Sequence, residues 1–154
     1  MKEPTEHDVR FRIWYSLWLE EMTETLNRRL DTFINAVTLT LGASIFAASH
    51  FSWLFGGVIA VLSGCRVAWQ FGRVAGSARQ QRRRYAVLAD DAATLDVTEM
   101  RGRLAMLEEF DSPVLGGLKN PAWHRACISL NIKNNEKLTY MEKVISWLAG
   151  GIPR

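Results

Sequence analysis

Charged residues are missing from one long stretch of this chain and dense on both sides of it. Between Phe33 and Cys65 there is no Asp, Glu, Lys or Arg, and the flanks carry every charged side chain of these types. Crossing the roughly 30 Å hydrocarbon core of a bilayer takes about 20 helical residues. The stretch is too long for one such helix and slightly too short for two. Two membrane-spanning helices would therefore each include some residues of the neighbouring charged flank. The pattern therefore predicts a first span over about Leu30–Ala48 and a second over about Trp53–Phe71.

The turn between the predicted spans and the residues outside them indicate an orientation. Residues 49–52 form the turn, and Phe51 and Trp53 stand where an interfacial aromatic belt would place them. Arg28 and Arg29 precede the first span, a group of arginines follows the second, and the turn has no Lys or Arg. Because basic flanks stay in the cytoplasm, we expect an inner-membrane hairpin with both termini on the cytoplasmic side.

A soluble bundle that buries the same two helices is the alternative. A soluble hairpin of this length normally presents a polar side with charges at helical spacing. Neither predicted arm has such a side. The pattern thus favours hydrocarbon over water as the surroundings of both arms.

Small residues recur at every fourth position of both predicted spans. Such residues form a groove in which membrane helices approach one another closely. A period of four slightly exceeds the 3.6 residues of a helical turn, so the longer stripe winds around its helix. Two interpretations stay open: the stripes pack the two spans together, or they continue onto a neighbouring copy in a homo-oligomer. The predicted packing or assembly residues are Ala36, Thr40, Ser44 and Ala48 in the first span, and Gly56, Ala60, Gly64, Ala68 and Gly72 in the second, with Gly76 beyond it.

Arginines cluster at the cytoplasmic end of the second predicted span. Arg66 lies inside that span, either as a gating residue or as an anchor whose long stem reaches the interface. We expect Arg79, Arg82, Arg83 and Arg84 to contact lipid headgroups, because each basic residue near an anionic leaflet contributes roughly 1 kcal/mol. The net charge of +3 is too small to indicate specific binding of nucleic acid.

The charged flanks are typical of cytoplasmic helices that form a bundle. The segment Asp8–Arg29 predicts an amphipathic helix that runs straight into the first span, with Trp14, Tyr15 and Trp18 as packing residues. The segment Arg73–Phe110 predicts one long helix packed against it in the manner of a coiled coil.

Short helices are expected after Pro113, which stops the long helix. Asn120 and Pro121 predict an N-cap and a first helical residue, and a last helix is expected over about Asn135–Ala149. The fold class is therefore all-α: a transmembrane two-helix hairpin, long cytoplasmic helical extensions that form a bundle, and short C-terminal helices. We divide the chain into residues 1–110 and a C-terminal helical cap, 111–154.

Motifs for catalysis or for binding a cofactor or metal are not found. His7, His50 and His124 are far apart, and the paired glycines lack the Lys-Ser/Thr ending of a phosphate loop. Cys65 and Cys127 have no paired spacing and are interpreted as free thiols. We expect a protein that is not an enzyme and has no cofactor.

A basic segment follows the second span, and it reads Ala78-Arg79-Gln80-Gln81-Arg82-Arg83-Arg84-Tyr85-Ala86-Val87-Leu88. With the uncharged run before it, this segment resembles the SLATT family, the SMODS- and SLOG-associated two-transmembrane proteins. The resemblance covers about Arg10–Phe110 and leaves out the chain from Pro113 onward. The tail pattern is also similar to that of small phage or prophage membrane proteins. Membership would imply an oligomeric membrane effector of bacterial conflict systems, which perturbs the membrane when activated.

We therefore expect an oligomeric bacterial or phage inner-membrane protein that forms or gates a membrane opening. Its expected partners are the lipid membrane, further copies of itself and a protein activator. The alternative is a membrane-anchored helical adaptor, such as an exclusion or immunity protein, that binds a partner protein.

Overall fold

The computed structural model describes residues 5–46, 51–134 and 136–153. These residues form helices, turns and extended connections, with no strand among them. The all-α prediction is confirmed. The helices are α1 (Glu6–Phe46), α2 (Ser52–Trp69), α3 (Phe71–Asp91), α4 (Val97–Glu108), α5 (Lys119–Ser129) and α6 (Tyr140–Leu148), and a short 3-10 turn, Gly116–Leu118, leads into α5.

The first helix, α1, runs without interruption for 41 residues from the charged flank into the apolar stretch. At a rise of about 1.5 Å per residue it is about 60 Å long. The prediction of a single helix through this junction is confirmed, since the segment has no proline and its first glycine is Gly42. The end of the predicted first span, including Ala48, and most of the predicted turn lie outside the described residues.

The second and third helices are separated by one residue, Gln70. Its backbone adopts the left-handed conformation, with φ 47° and ψ 45°. Its N–H still donates to the carbonyl of Arg66 at 2.9 Å, and its own carbonyl accepts from Arg73 N–H at 2.9 Å and from Val74 N–H at 3.1 Å. The break therefore leaves neither backbone group of Gln70 without a partner. α2 ends at Trp69, two residues before Phe71, the predicted end of the second span.

The prediction of one long helix over Arg73–Phe110 is wrong. α3 ends at Asp91, and α4 starts again at Val97. The physical reason is Asp96, whose side chain accepts the N–H of Thr98 at 3.2 Å and so caps a new helix.

The bundle has its core around the first half of α1. One group of buried side chains joins α1 to α3 and α4, and a second joins α1 to the C-terminal helices. Trp18 packs against both groups and Tyr15 against the second, as predicted. The first group is Val9, Ile13, Leu17, Tyr85, Leu88, Ala92, Met100 and Leu104, and the second is Met22, Leu26, Leu118, Ala122 and Ala149.

Both C-terminal helices begin at other residues than the sequence predicted. Leu118 occupies the N-cap position of α5, so the N-cap prediction for Asn120 is wrong. The Asn120 amide instead donates to Glu142 at 3.2 Å. α6 begins at Tyr140 because Thr139 and Glu142 form a capping box there.

Candidate functional site: the exposed helix pair and its charged junction

Among the described residues, one helical run is long and apolar enough to cross a membrane. It extends over Ser52–Asp91, and its apolar window has a mean hydropathy of 1.4 and buries none of its residues. This criterion concerns length and composition alone. The described end of α1, which carries Asp31, Asn35 and several threonines, does not meet it, so the first span, over about Leu30–Ala48, stays a prediction.

Aromatic side chains stand at both ends of α2. Phe51 and Trp53 are exposed at its start, and at its end Trp69 stacks on Phe71 with 6.2 Å between ring centroids. The 18 residues of α2 span about 27 Å at 1.5 Å per residue. That length is close to the roughly 30 Å of a bilayer core, and aromatic rings are enriched at its two boundaries.

Large side chains occupy the side of α2 that lies against α1. Phe55, Ile59 and Leu62 are half-buried there, and Ile34 is the buried residue of the apolar end of α1. The half-buried stripe of α2 therefore contains these bulky apolar residues together with Gly56.

The small-residue stripes lie largely on the outside of the pair. Among the described residues, no atom of another element lies within 4 Å of a Cβ added at Gly56 or Gly64. Gly72 differs, because a Cβ there would lie 3.6 Å from an Asp31 carboxylate oxygen. Packing of the described part of α1 onto α2 thus does not account for the exposed Gly64. The exposed members of the stripes are Ala36, Thr40, Ala60, Gly64, Ala68, Gly72 and Gly76, while Ser44 and Gly56 are half-buried.

Hydroxyl groups on the apolar part of α1 are satisfied within the helix itself. Thr40 donates to the Ala36 carbonyl at 2.8 Å, and Ser44 donates to the Thr40 carbonyl at 2.9 Å. A hydroxyl that finds its partner on its own helix can face hydrocarbon without a large desolvation cost. These polar side chains are therefore compatible with a lipid-facing surface.

An ion pair joins the two helices at the junction with the bundle. Arg66 Nε lies 3.4 Å from an Asp31 carboxylate oxygen, and Asn35 donates to the other oxygen at 3.3 Å. The Arg66 side chain is 53% exposed and that of Asp31 is 24% exposed. Sequence reasoning placed Arg66 near the interface but did not pair it with Asp31. The available signal was that Asp31 and Arg66 are the charged residues that flank the uncharged stretch on either side.

The predicted headgroup-binding arginines divide into two groups. Arg82 lies 3.3 Å from Glu24 and 3.5 Å from Glu21 on α1, and Arg84 lies over the Phe110 ring at 5.9 Å. These two side chains have partners within the chain. Headgroup contact stays a prediction for all four arginines. Because Arg82 and Arg84 have partners within the chain, the prediction is weaker for them than for the exposed Arg79 and Arg83.

A buried carboxyl group, which sequence reasoning missed, lies deeper in the bundle. Glu20 on α1 is 2% exposed and accepts the backbone N–H of Ser112 at 2.8 Å. Its second oxygen, Oε2, has no hydrogen-bond partner among the described residues. Burial, and then the nearby charge of Asp111, raises the pKa of Glu20. A sequence signal existed, because Glu20 falls three residues after Leu17 on the apolar stripe of α1.

The segment after α4 is also bound to α3. Asp111 accepts from the Tyr85 hydroxyl at 2.6 Å and from the Gln81 amide at 3.2 Å, and Gln81 also donates to the Leu107 carbonyl. Tyr85 is fully buried, which raises the pKa of its hydroxyl and keeps it a neutral donor. These bonds, with the Glu20–Ser112 bond, hold the C-terminal segment on the bundle. The arrangement is structural and offers no exposed reactive group.

The pH dependence of stability should change when Glu20 is replaced by glutamine. The folded protein raises the pKa of Glu20 above its ordinary value of 4.5, so ionisation of this group opposes folding as pH rises. Glutamine keeps an acceptor for Ser112 and cannot ionise. We expect Glu20→Gln to gain stability over wild type between acid and neutral pH, measured by urea unfolding in detergent at several pH values. A stability difference that does not vary with pH would contradict a desolvated carboxylate.

No family model matches this chain, and neither the curated proteins nor the solved structures give a significant match. Within the described residues, no group of three or more His, Cys, Asp or Glu side chains is placed to hold a metal ion. Function must therefore be argued from the exposed helix pair itself.

Proposed function

We propose that this chain is an inner-membrane protein of a bacterium or phage that self-associates and forms or gates a membrane opening. In this proposal the apolar end of α1 and the whole of α2 cross the bilayer as a hairpin, with both termini in the cytoplasm. One observation carries the proposal: α2 buries none of its residues, although its side chains are apolar around most of its circumference. Water would not tolerate such a helix on the outside of a bundle.

Self-association is supported by the outward position of the small-residue stripes. Ala60, Gly64 and Ala68 form an exposed row on α2 that α1 does not cover. Small residues let helix backbones approach in lipid, where hydrophobic burial alone gives no reason to associate. A second copy of the same row is the partner that such a surface fits best.

The charged junction would stand at the cytoplasmic mouth of the assembly. The pair of Arg66 and Asp31 sets the register of the two arms in each copy. In a ring-shaped oligomer, the Arg66 and Asp31 side chains of all copies would form a ring of charges at one end of the apolar assembly. In this arrangement Arg66 would act on the opening through its ion pair with Asp31, and while that pair is intact it would serve as an anchor.

The mass of the detergent-solubilised protein tests self-association. We expect an oligomer for the wild type and a shift toward monomer for Gly64→Leu. A Cβ at Gly64 meets no neighbouring element, so this variant leaves the fold of the chain unchanged. Val58→Leu, at an exposed position about 120° around the helix from Gly64, is the matched control and should keep the oligomer. A monomeric wild type would refute the proposal.

Induced expression tests the opening directly. We expect the wild-type protein to dissipate the membrane potential and Gly64→Leu to lose that effect, while Val58→Leu retains it. The adaptor is the second candidate, and it is favoured by exposed large apolar side chains on the bundle, namely Val87, Met106 and Phe110. An intact potential together with a stoichiometric bound protein would support the adaptor instead.

A further inference from the structure

The last helix, α6, exposes large apolar side chains that its packing on the bundle does not use. Its inner side carries the buried Ser146 and the half-buried Ile145 and Leu148, which pack near Leu118. Positions 140, 144 and 147 share the opposite side, because residues three and four apart lie above one another on a helix. The exposed side chains are Tyr140, Met141, Val144 and Trp147, at 81%, 66%, 39% and 64% exposure.

Hydrogen bonds from Arg29 fix α6 at the level where α1 leaves the bundle. The guanidinium of Arg29 donates to the carbonyls of Trp147 at 3.1 Å and Leu148 at 2.8 Å. Arg29 directly precedes Leu30, the first residue of the predicted span, and Leu30 packs against the same group of side chains as Leu148. The C-terminal end of α6 therefore lies close to the point where the proposed membrane begins.

The chemistry of the exposed side resembles that of an interfacial helix. Lys143 is exposed and lies three residues from Tyr140 and four from Trp147, on the same side. Tyrosine and tryptophan rings favour the headgroup level of a bilayer. A lysine stem can lie along apolar surface while its charge reaches the lipid phosphates. An amphipathic helix of this composition lies in the plane of the interface.

We propose that this side of α6 binds the headgroup region of the cytoplasmic leaflet and holds the bundle against the membrane. The inference rests on the membrane insertion proposed above. It commits to a lipid surface as the occupant, because Arg29 places the helix beside the start of the span. The bonds from Arg29 also satisfy carbonyls at the end of α6, which would otherwise face a region poor in water.

Site-directed spin labelling of the full chain in vesicles tests this inference. The two native cysteines are replaced by alanine, and a nitroxide is attached to Val144→Cys, to Ala93→Cys or to Val61→Cys in separate samples. The vesicles contain phosphatidylcholine and phosphatidylglycerol, and collision with oxygen and with a nickel chelate reports depth. Ala93 is the aqueous control, since it is exposed after α3 beside Ala92, whose carbonyl accepts from Arg10. Val61 on α2 reports membrane insertion.

We expect an oxygen-to-nickel accessibility ratio at position 144 several-fold above that at position 93. A ratio at position 144 equal to that at position 93, with position 61 in lipid, would overturn the α6 inference and leave the proposed function standing. Spin–spin broadening at position 144 that disappears on dilution with unlabelled protein would also overturn it, because a second copy would then cover the helix. An aqueous position 61 would overturn both proposals.

Discussion

Replacing Tyr85 with alanine is expected to destabilise the bundle by about 3–5 kcal/mol, the range for removing a large aromatic side chain from a core. Tyr85 is fully buried between α1 and α4, and its hydroxyl donates to Asp111 at 2.6 Å. Alanine removes both the ring contacts and this bond. Chemical unfolding of the detergent-solubilised protein, followed by tryptophan fluorescence, measures the loss because Trp18 packs against the same core.

Tyr85→Phe separates the two contributions. It keeps the ring and removes only the hydroxyl, so Asp111 retains the Gln81 amide as a partner. We expect a loss of about 1–2 kcal/mol, as for one hydrogen bond to a charged group. If Tyr85→Ala lowered the free energy of unfolding no more than Tyr85→Phe, the Tyr85 ring would not be packed in the core.

Reversing one charge of the Asp31–Arg66 pair should destabilise the protein, and reversing both should restore much of the loss. Each of Asp31→Arg and Arg66→Asp places like charges where the native pair is 3.4 Å apart. In water, a partly exposed pair such as this one contributes about 0–1 kcal/mol. Beside hydrocarbon, screening is weaker, so we expect a coupling of about 1–3 kcal/mol in a double-mutant cycle.

Unfolding of the wild type, the two single variants and the double variant in bicelles measures this coupling. A matched control pair of charged residues lies in the bundle. Arg103 and Glu99 form an exposed ion pair at 2.7 Å on α4, remote from the apolar stretch. Their cycle should give about 0.3–0.5 kcal/mol, as for an exposed pair one helical turn apart. A coupling for Asp31 and Arg66 no larger than this would indicate that water surrounds the junction.

Helical periodicity predicted the N-terminal helix and its packing against α3, but not the break between α3 and α4 or the starts of the C-terminal helices. The apolar spacing of Val9, Ile13 and Leu17 is that of a helix stripe, and these residues do pack against Tyr85 and Leu88. The break at Gln70 had no comparable signal, because glutamine has no special preference for the left-handed conformation.

The packing or assembly role of the small residues stays a prediction. Periodicity shows which residues share one side of a helix, and it places Ala60 and Gly64 on one side of α2, where both are exposed. It does not show which neighbour covers that side, because the choice depends on how the bulky residues Phe55 and Ile59 pair with α1. The hydrogen bond between Glu20 and Ser112 could not be predicted from the sequence either, because it joins residues far apart in the chain.

The unequal construction of α1 and of the α2–α3 run has a mechanical consequence. α1 passes from the bundle into the apolar stretch as one continuous helix, whereas the run beside it is interrupted at the single residue Gln70. Bending α1 would break hydrogen bonds within a helix, whereas the angle between α2 and α3 depends on the backbone of one residue. A protein that binds the bundle would therefore change the direction of α2 more readily than that of α1.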